Sequence, residues 1–150
     1  MIRRATAADA DAIAALFRRS FGTLTFLPTL HTPDEDRRHF ADVMSRADFW
    51  VAEEDERLLG YAALDGEVLE GLYVEPDAQG RGVGSALLDH VKRERPDGFK
   101  FWVFQRNERA RRFYEAHGCR IVRFTDGRDN EEREPDALYE WRPPARDSRR

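Results

Sequence analysis

Three glycines at alternate positions, Gly80, Gly82 and Gly84, stand between a proline-marked turn at Pro76 and a stretch in which Val83, Leu87, Leu88 and Val91 recur at helical spacing. Glycine lets a backbone approach a ligand closely, and the first N–H groups of a helix have no partner within it. Together with the helix dipole, those groups form a site for an anion such as a pyrophosphate. Two side chains nearby could move protons. Glu70 lies within an apolar strand pattern. Period-two alternation sets Val68, Glu70, Leu72 and Val74 on one face, where burial would raise a carboxyl toward useful base strength. Tyr114 lies on the apolar face of a helix with Ala110, Phe113 and His117, either as a core tyrosine or as a proton donor.

The spacing excludes two familiar phosphate loops. Gly84 is followed by Ser85 rather than by Lys and then Ser or Thr, and the glycines do not follow the G-x-G-x-x-G dinucleotide pattern. What remains is Val74-Glu75-Pro76, then Gln79-Gly80-Arg81-Gly82-Val83-Gly84. This run resembles motif A of the GCN5-related N-acetyltransferases (GNAT family), V-x-P-x-x-[QR]-x-x-G-x-[GA], with every position filled. A second segment, Asn107, Ala110, Phe113-Tyr114 and Gly118-Cys119, resembles the family's N-x-x-A-x-x-[FL]-Y-x-x-x-G-F pattern. Cys119 stands where phenylalanine is usual, a departure that bears on packing more than on chemistry. The resemblance covers roughly residues 67–124.

The resemblance implies a GNAT fold, a mixed α/β architecture with a twisted, mostly antiparallel sheet flanked by helices and splayed between its fourth and fifth strands. It implies transfer of an acetyl group from acetyl-CoA to a primary amine. Direct transfer is expected because Cys119, following a helix-ending glycine, has the setting of a buried structural residue rather than of an acyl carrier. In such proteins the backbone of Leu72, Tyr73 and Val74 would bind the pantetheine arm, with the N–H of Val74 or Tyr73 facing the thioester carbonyl. The backbone of Gln79, Gly80, Arg81, Gly82, Val83, Gly84 and Ser85 would cradle the pyrophosphate, and the Arg81 side chain would add charge. Asn107 matches the asparagine near the pantetheine, although asparagine also caps helices well. Tyr114 matches the tyrosine near the sulfur, and Glu70 a glutamate that often serves as base, with Glu67 as its alternative. No metal is expected. Many members of the family dimerise, so a homodimer belongs among the expected states. A CoA-binding regulatory module that lost catalysis is the alternative function.

The acceptor is less legible. His31 and Phe26, in an apolar loop over Phe21–Thr32, are candidates for its pocket; each equally suits a surface or core role. Asn130, Glu131, Glu132 and Glu134 would attract a cationic acceptor, or simply solvate a loop.

The elements that would position these residues follow from patterning. Of 150 residues 41% are hydrophobic, with ten Phe, four Tyr and three Trp, enough for one domain with a real core. No apolar run is long enough to span a membrane, and Met1-Ile2-Arg3-Arg4 has no signal-peptide character, so a cytoplasmic protein is the default expectation. The lone cysteine excludes an internal disulfide framework, and a net charge of -4 argues against nucleic acid as the main partner.

The expected order is a short strand at Ile2–Ala5, a helix over 7–19, a charged and solvated second helix capped by Thr32 or Asp34, and three strands in a meander. After the glycine loop and its helix come a strand at Phe99–Phe104, a helix capped by Asn107 and ended by Gly118, and two strands around a mobile polar loop at 126–136. One GNAT domain spans 1–143, and 144–150 form a frayed tail.

Overall fold

The computed structural model describes residues 1–144; the expected tail beyond that point lies outside the described residues. Strand β1 (Ile2–Arg4) leads through a single 3-10 turn at Ala7–Asp9 into helix α1 (Ala10–Phe21) and then α2 (Pro33–Met44). Strands β2 (Asp48–Glu54), β3 (Arg57–Asp65) and β4 (Val68–Val74) form the meander, followed by α3 (Val83–Glu94) and β5 (Phe99–Phe104). Helix α4 (Glu108–Ala116) and strands β6 (Arg120–Phe124) and β7 (Asp136–Trp141) complete the chain.

The seven strands form one sheet in the order β1-β2-β3-β4-β5-β7-β6, and every neighbouring pair is antiparallel except β4 with β5. That parallel pair meets at a single register position, Val68 with Lys100, after which the strands diverge. The core is divided by the sheet. On one face Leu87, Leu88 and Val91 of α3 and Tyr114 of α4 pack on Trp50, Ala62, Leu64, Phe101 and Tyr139. On the other, Ile13 and Leu16 of α1 and Phe40 and Val43 of α2 pack on Phe49, Val51, Tyr61 and Ala63.

Local signals explain the boundaries. The Thr32 hydroxyl accepts from Glu35 N–H while Glu35 accepts from Thr32 N–H, a capping box that starts α2 just before Pro33. Gly118, at φ +84°, ends α4, where Cys119 N–H reaches back to the Tyr114 carbonyl at 3.0 Å in a Schellman arrangement.

Three expectations change. Helix α1 begins at Ala10 and continues to Phe21, because the 3-10 turn takes up the first residues. The charged face of α2 is not wholly solvated: Asp36 is buried and paired with Arg18 of α1 at 2.7 Å. The loop between β6 and β7 is organised by its own side chains. Asn130 donates to the Glu134 carbonyl and accepts from the Glu134 N–H, and Arg106 pairs with the buried Glu134 at 2.7 Å. The Arg106 guanidinium holds the Glu134 carboxyl below its usual range.

Candidate active site at the sheet splay

Glycines in the loop after β4 serve two ends. Gly80 and Gly82 take φ of +82° and +84°, and a Cβ at either would meet nothing within 4 Å. They are needed for backbone conformation and leave open space beside it. Gly84 is needed for packing: its Cβ would lie 3.3 Å from the ring of Phe113, so it lets α3 approach α4. Helix α3 starts at Gly82 with no side-chain cap and no acidic residue in its first turn. Among the described residues, no backbone N–H from Gln79 to Ser85 finds an acceptor. A row of free donors at a helix N-terminus, open on one side, fits a pyrophosphate. Arg81 reaches only as far as Glu54, at 3.4 Å, both side chains being largely exposed.

Side chains around this loop are otherwise engaged. Gln79 donates to the Val74 carbonyl at 3.4 Å. The Ser85 hydroxyl meets His117 Nε2 at 3.0 Å, and His117 Nδ1 meets the Phe113 carbonyl at 2.8 Å. Since that carbonyl can only accept, Nδ1 carries the proton and Ser85 donates to Nε2. Ser85 therefore offers the loop its backbone, while its side chain ties α3 to α4. Asn107 Oδ1 accepts from Ala110 N–H at 3.2 Å, a helix cap, and its amide nitrogen makes no bond among the described residues.

The backbone of β4 is divided by alternation. Glu75 N–H donates to the Leu59 carbonyl on β3 at 2.8 Å, so Tyr73, two residues earlier, also pairs with β3, opposite Tyr61. The N–H groups of Leu72 and Val74 then point toward β5, across the splay. Of the two candidates for the carbonyl-facing donor, Tyr73 is taken up by the sheet, and Val74 N–H has no acceptor among the described residues.

Glu70 departs from its expected setting. Leu69 pairs with Leu64 and Gly71 with Ala63, so Glu70 is an extra residue with no partner on β3. This bulge breaks the two-residue alternation. Leu69 and Leu72 both pack toward α3, whereas Glu70 turns to the opposite face. It is exposed there rather than buried among apolar neighbours, and it makes no ion pair or hydrogen bond among the described residues.

That face carries a cavity of about 740 Å³, within the range of small-ligand pockets. Phe17 and Phe21 of α1, Phe40 of α2, Tyr61, Tyr73 and Phe104 give it aromatic walls. Glu70, Glu131 and Glu132 lie along it, with His31 paired to Glu131 between the two loops that border it. Phe26 does not line this cavity. It packs under the Arg106 guanidinium at 4.6 Å and against Phe104 at 6.3 Å, because the ring is drawn to the end of β5. Phe17 and Phe21, at i and i+4 on α1, look like core residues in sequence and are pocket walls in the fold.

Tyr114 reaches the splay from the other side. It is buried against Phe101, with ring centroids 4.4 Å apart, and burial pushes its phenol well above the usual range. Tyr73 is pushed up to about 12, first by burial and then by the Glu132 carboxylate. Cys119 is buried, and its thiol is pushed up to about 11 by burial, with Lys92 opposing. Among the described residues no His, Cys, Asp and Glu side chains gather to hold a metal, and no helix is long and apolar enough to cross a membrane.

Comparison with known proteins agrees with this geometry. The family model described as an acetyltransferase (GNAT) domain matches residues 45–120. The peptidyl-lysine N-acetyltransferase YjaB of Salmonella typhimurium is 30% identical over 81% of this chain and 83% of its own length. The peptidyl-lysine N-acetyltransferase YiaC of Escherichia coli is 39% identical over 80 residues, 53% of this chain; the match spans about half of that relative, 54%. Among solved structures, the PaiA N-acetyltransferase of Thermoplasma acidophilum in complex with coenzyme A superposes with a TM-score of 0.76 over 95% of this chain and 98% of that one. It is 18% identical, a likeness of fold.

Proposed function

This chain belongs to the GNAT acetyltransferases, and on that footing we propose that it transfers the acetyl group of acetyl-CoA to the side-chain amine of a lysine within a polypeptide. The observation that carries the acceptor reading is the cavity opposite α3. Its aromatic walls suit the lysine stem, and the carboxylates of Glu70 and Glu132, unpaired among the described residues, suit an ammonium. The relatives named peptidyl-lysine N-acetyltransferases support the same class.

The glycine loop fits the donor through its open face and its free N–H groups, with Gly80 to Ser85 holding the pyrophosphate and Leu72 and Val74 the pantetheine. Bound there, acetyl-CoA supplies an acyl carbon activated by a thiolate leaving group. Glu70 takes a proton from the acceptor ammonium, directly or through water, leaving a neutral nucleophile. Val74 N–H donates to the thioester oxygen as negative charge develops on it. The N–C bond forms and the C–S bond breaks, and Tyr114, kept protonated by burial, gives its proton to the departing sulfur. The second proton of the attacking nitrogen, shed as the amide forms, returns through water to the Tyr114 oxygen. Cys119 takes no part, since its thiol is buried and held in the neutral form.

The test is mass spectrometry of lysine peptides incubated with the protein and acetyl-CoA. A gain of one acetyl group on the side chain is expected, and Glu70→Gln should lower kcat by about 10²-fold without moving the melting temperature. Acetylation confined to α-amines or to small non-peptide amines would overturn the acceptor assignment.

A further inference from the structure

A second cavity of about 400 Å³ adjoins the first, and the two share Phe104 and Glu132 as walls. Its floor is the outer side of β5. Phe99, Phe101 and Val103 point into the core under α3 and α4, so Lys100 and Trp102 project from the opposite face. Trp102 is 47% exposed, unusual for an indole in the middle of a strand, and one ring face carries Arg123 at 5.3 Å. Asp129 and Glu132 stand at the rim, and neither has an ion-pair or hydrogen-bond partner among the described residues. Their neighbours in the same loop are all committed: Asp126 to Arg128, Glu131 to His31, and Glu134 to Arg106.

We propose that this second cavity is a subsite for a basic residue flanking the acceptor lysine, its aliphatic stem lying over Trp102 and Phe104 and its charged head between Asp129 and Glu132. The inference rests on the lysine reading and deepens it. A small free amine would fill only the first cavity, whereas a polypeptide must continue past it. The shared wall at Phe104 and Glu132 offers a continuous path for a neighbouring residue. Arg123 also lines the cavity, but it stands against three carboxylates, Asp129, Glu132 and Asp136. The aromatic floor and the net negative lining therefore match arginine or lysine, whose stems bury readily while the head stays polar. A flanking carboxylate would face Asp129 and Glu132 and be disfavoured.

The experiment compares KM for three short peptides carrying one lysine flanked by Arg, Gly or Glu, with N-acetyl-lysine amide as the unflanked acceptor. The Arg-flanked peptide should have a KM about tenfold below the Gly-flanked one, the equivalent of one charge-assisted hydrogen bond. The Glu-flanked peptide should be the poorest. Asp129→Asn and, separately, Trp102→Ala should bring the Arg and Gly values together. Both should leave KM for acetyl-CoA and turnover of the unflanked acceptor unchanged. Asp129 lies in an exposed loop, so its variant answers the question even if Trp102→Ala folds poorly. Turnover of all lysine compounds with no dependence on the flank overturns the subsite and leaves the lysine reading standing. Turnover of none of them, with other amines accepted, overturns both.

Discussion

Arg19, in the last turn of α1, holds the carboxylate of Glu75 just beyond β4, its Nε lying 3.0 Å from both oxygens. Glu75 is only 4% exposed, and Glu75 N–H also caps the β3 pairing. The pair therefore joins the wall of the acceptor cavity to the strand end from which the glycine loop departs. Removing the cation leaves a buried, uncompensated carboxylate. A fully enclosed pair broken in this way costs about 3–5 kcal/mol; the half-exposed Arg19 side chain admits water, which reduces the figure to about 1–3 kcal/mol for Arg19→Ala. Urea denaturation measures it as a lower midpoint at unchanged slope. A raised KM for acetyl-CoA should accompany it, because the loop loses its anchor.

Tyr114 separates a catalytic from a structural role cleanly. Its hydroxyl makes no hydrogen bond among the described residues, so Tyr114→Phe removes little that holds the fold. Stability should stay within about 0.5 kcal/mol, while kcat falls by about 10²-fold or more. Burial raises the phenol's pKa, so the acid form persists throughout the working range. The wild-type kcat profile should therefore show no descending alkaline limb from this group up to about pH 10. Unchanged kcat in Tyr114→Phe would return the residue to the core.

The glycines of the loop should respond differently to the same added methyl group. Gly82→Ala meets nothing in space, and its cost is the left-handed backbone, about 1 kcal/mol. The larger effect should fall on acetyl-CoA affinity, read by calorimetry. Gly84→Ala instead presses on Phe113 at 3.3 Å and should shift the α3–α4 contact, read as a lower melting temperature. Equal effects on binding and stability in both variants would contradict the division of labour.

Most of the architecture was legible because its signals are periodic. Leu87, Leu88 and Val91 repeat at helical spacing, Phe99, Phe101 and Val103 at strand spacing, and both patterns correspond to buried faces. The glycine loop was legible because a helix start with free donors needs those residues. Glu70 was placed on the wrong face because a bulge inserts one residue without altering composition. Gly71, inside the strand, is the mark that points to it. The pairing of Asp36 with Arg18 and the self-ordered 126–135 loop depend on residues that meet only after folding, and no local pattern carries them. The aromatic walls were hidden for a related reason: Phe17 and Phe104 have the spacing of core residues, and only the splay turns them toward a cavity.

His90, on α3, should make stability depend on pH in a defined direction. Its ring lies 5.0 Å from Trp50, and its Nε2 is buried without a hydrogen-bond partner among the described residues; Glu94, at 3.7 Å, is too far to serve. Burial lowers its pKa, and Arg93 adds to this while Glu94 opposes it. On acidification the unfolded chain takes up the proton before the native protein does. Its contribution is therefore present above about pH 6.5 and is lost as pH falls through the lower native value. His90→Leu removes both the titration and the orphaned nitrogen. It should gain about 1 kcal/mol at neutral pH, and its stability should fall less steeply between about pH 7 and pH 5. Urea titrations at a series of pH values test this directly. Parallel curves for the two proteins would mean that His90 titrates alike in the native and unfolded chains, and coincident curves would mean in addition that its burial costs nothing.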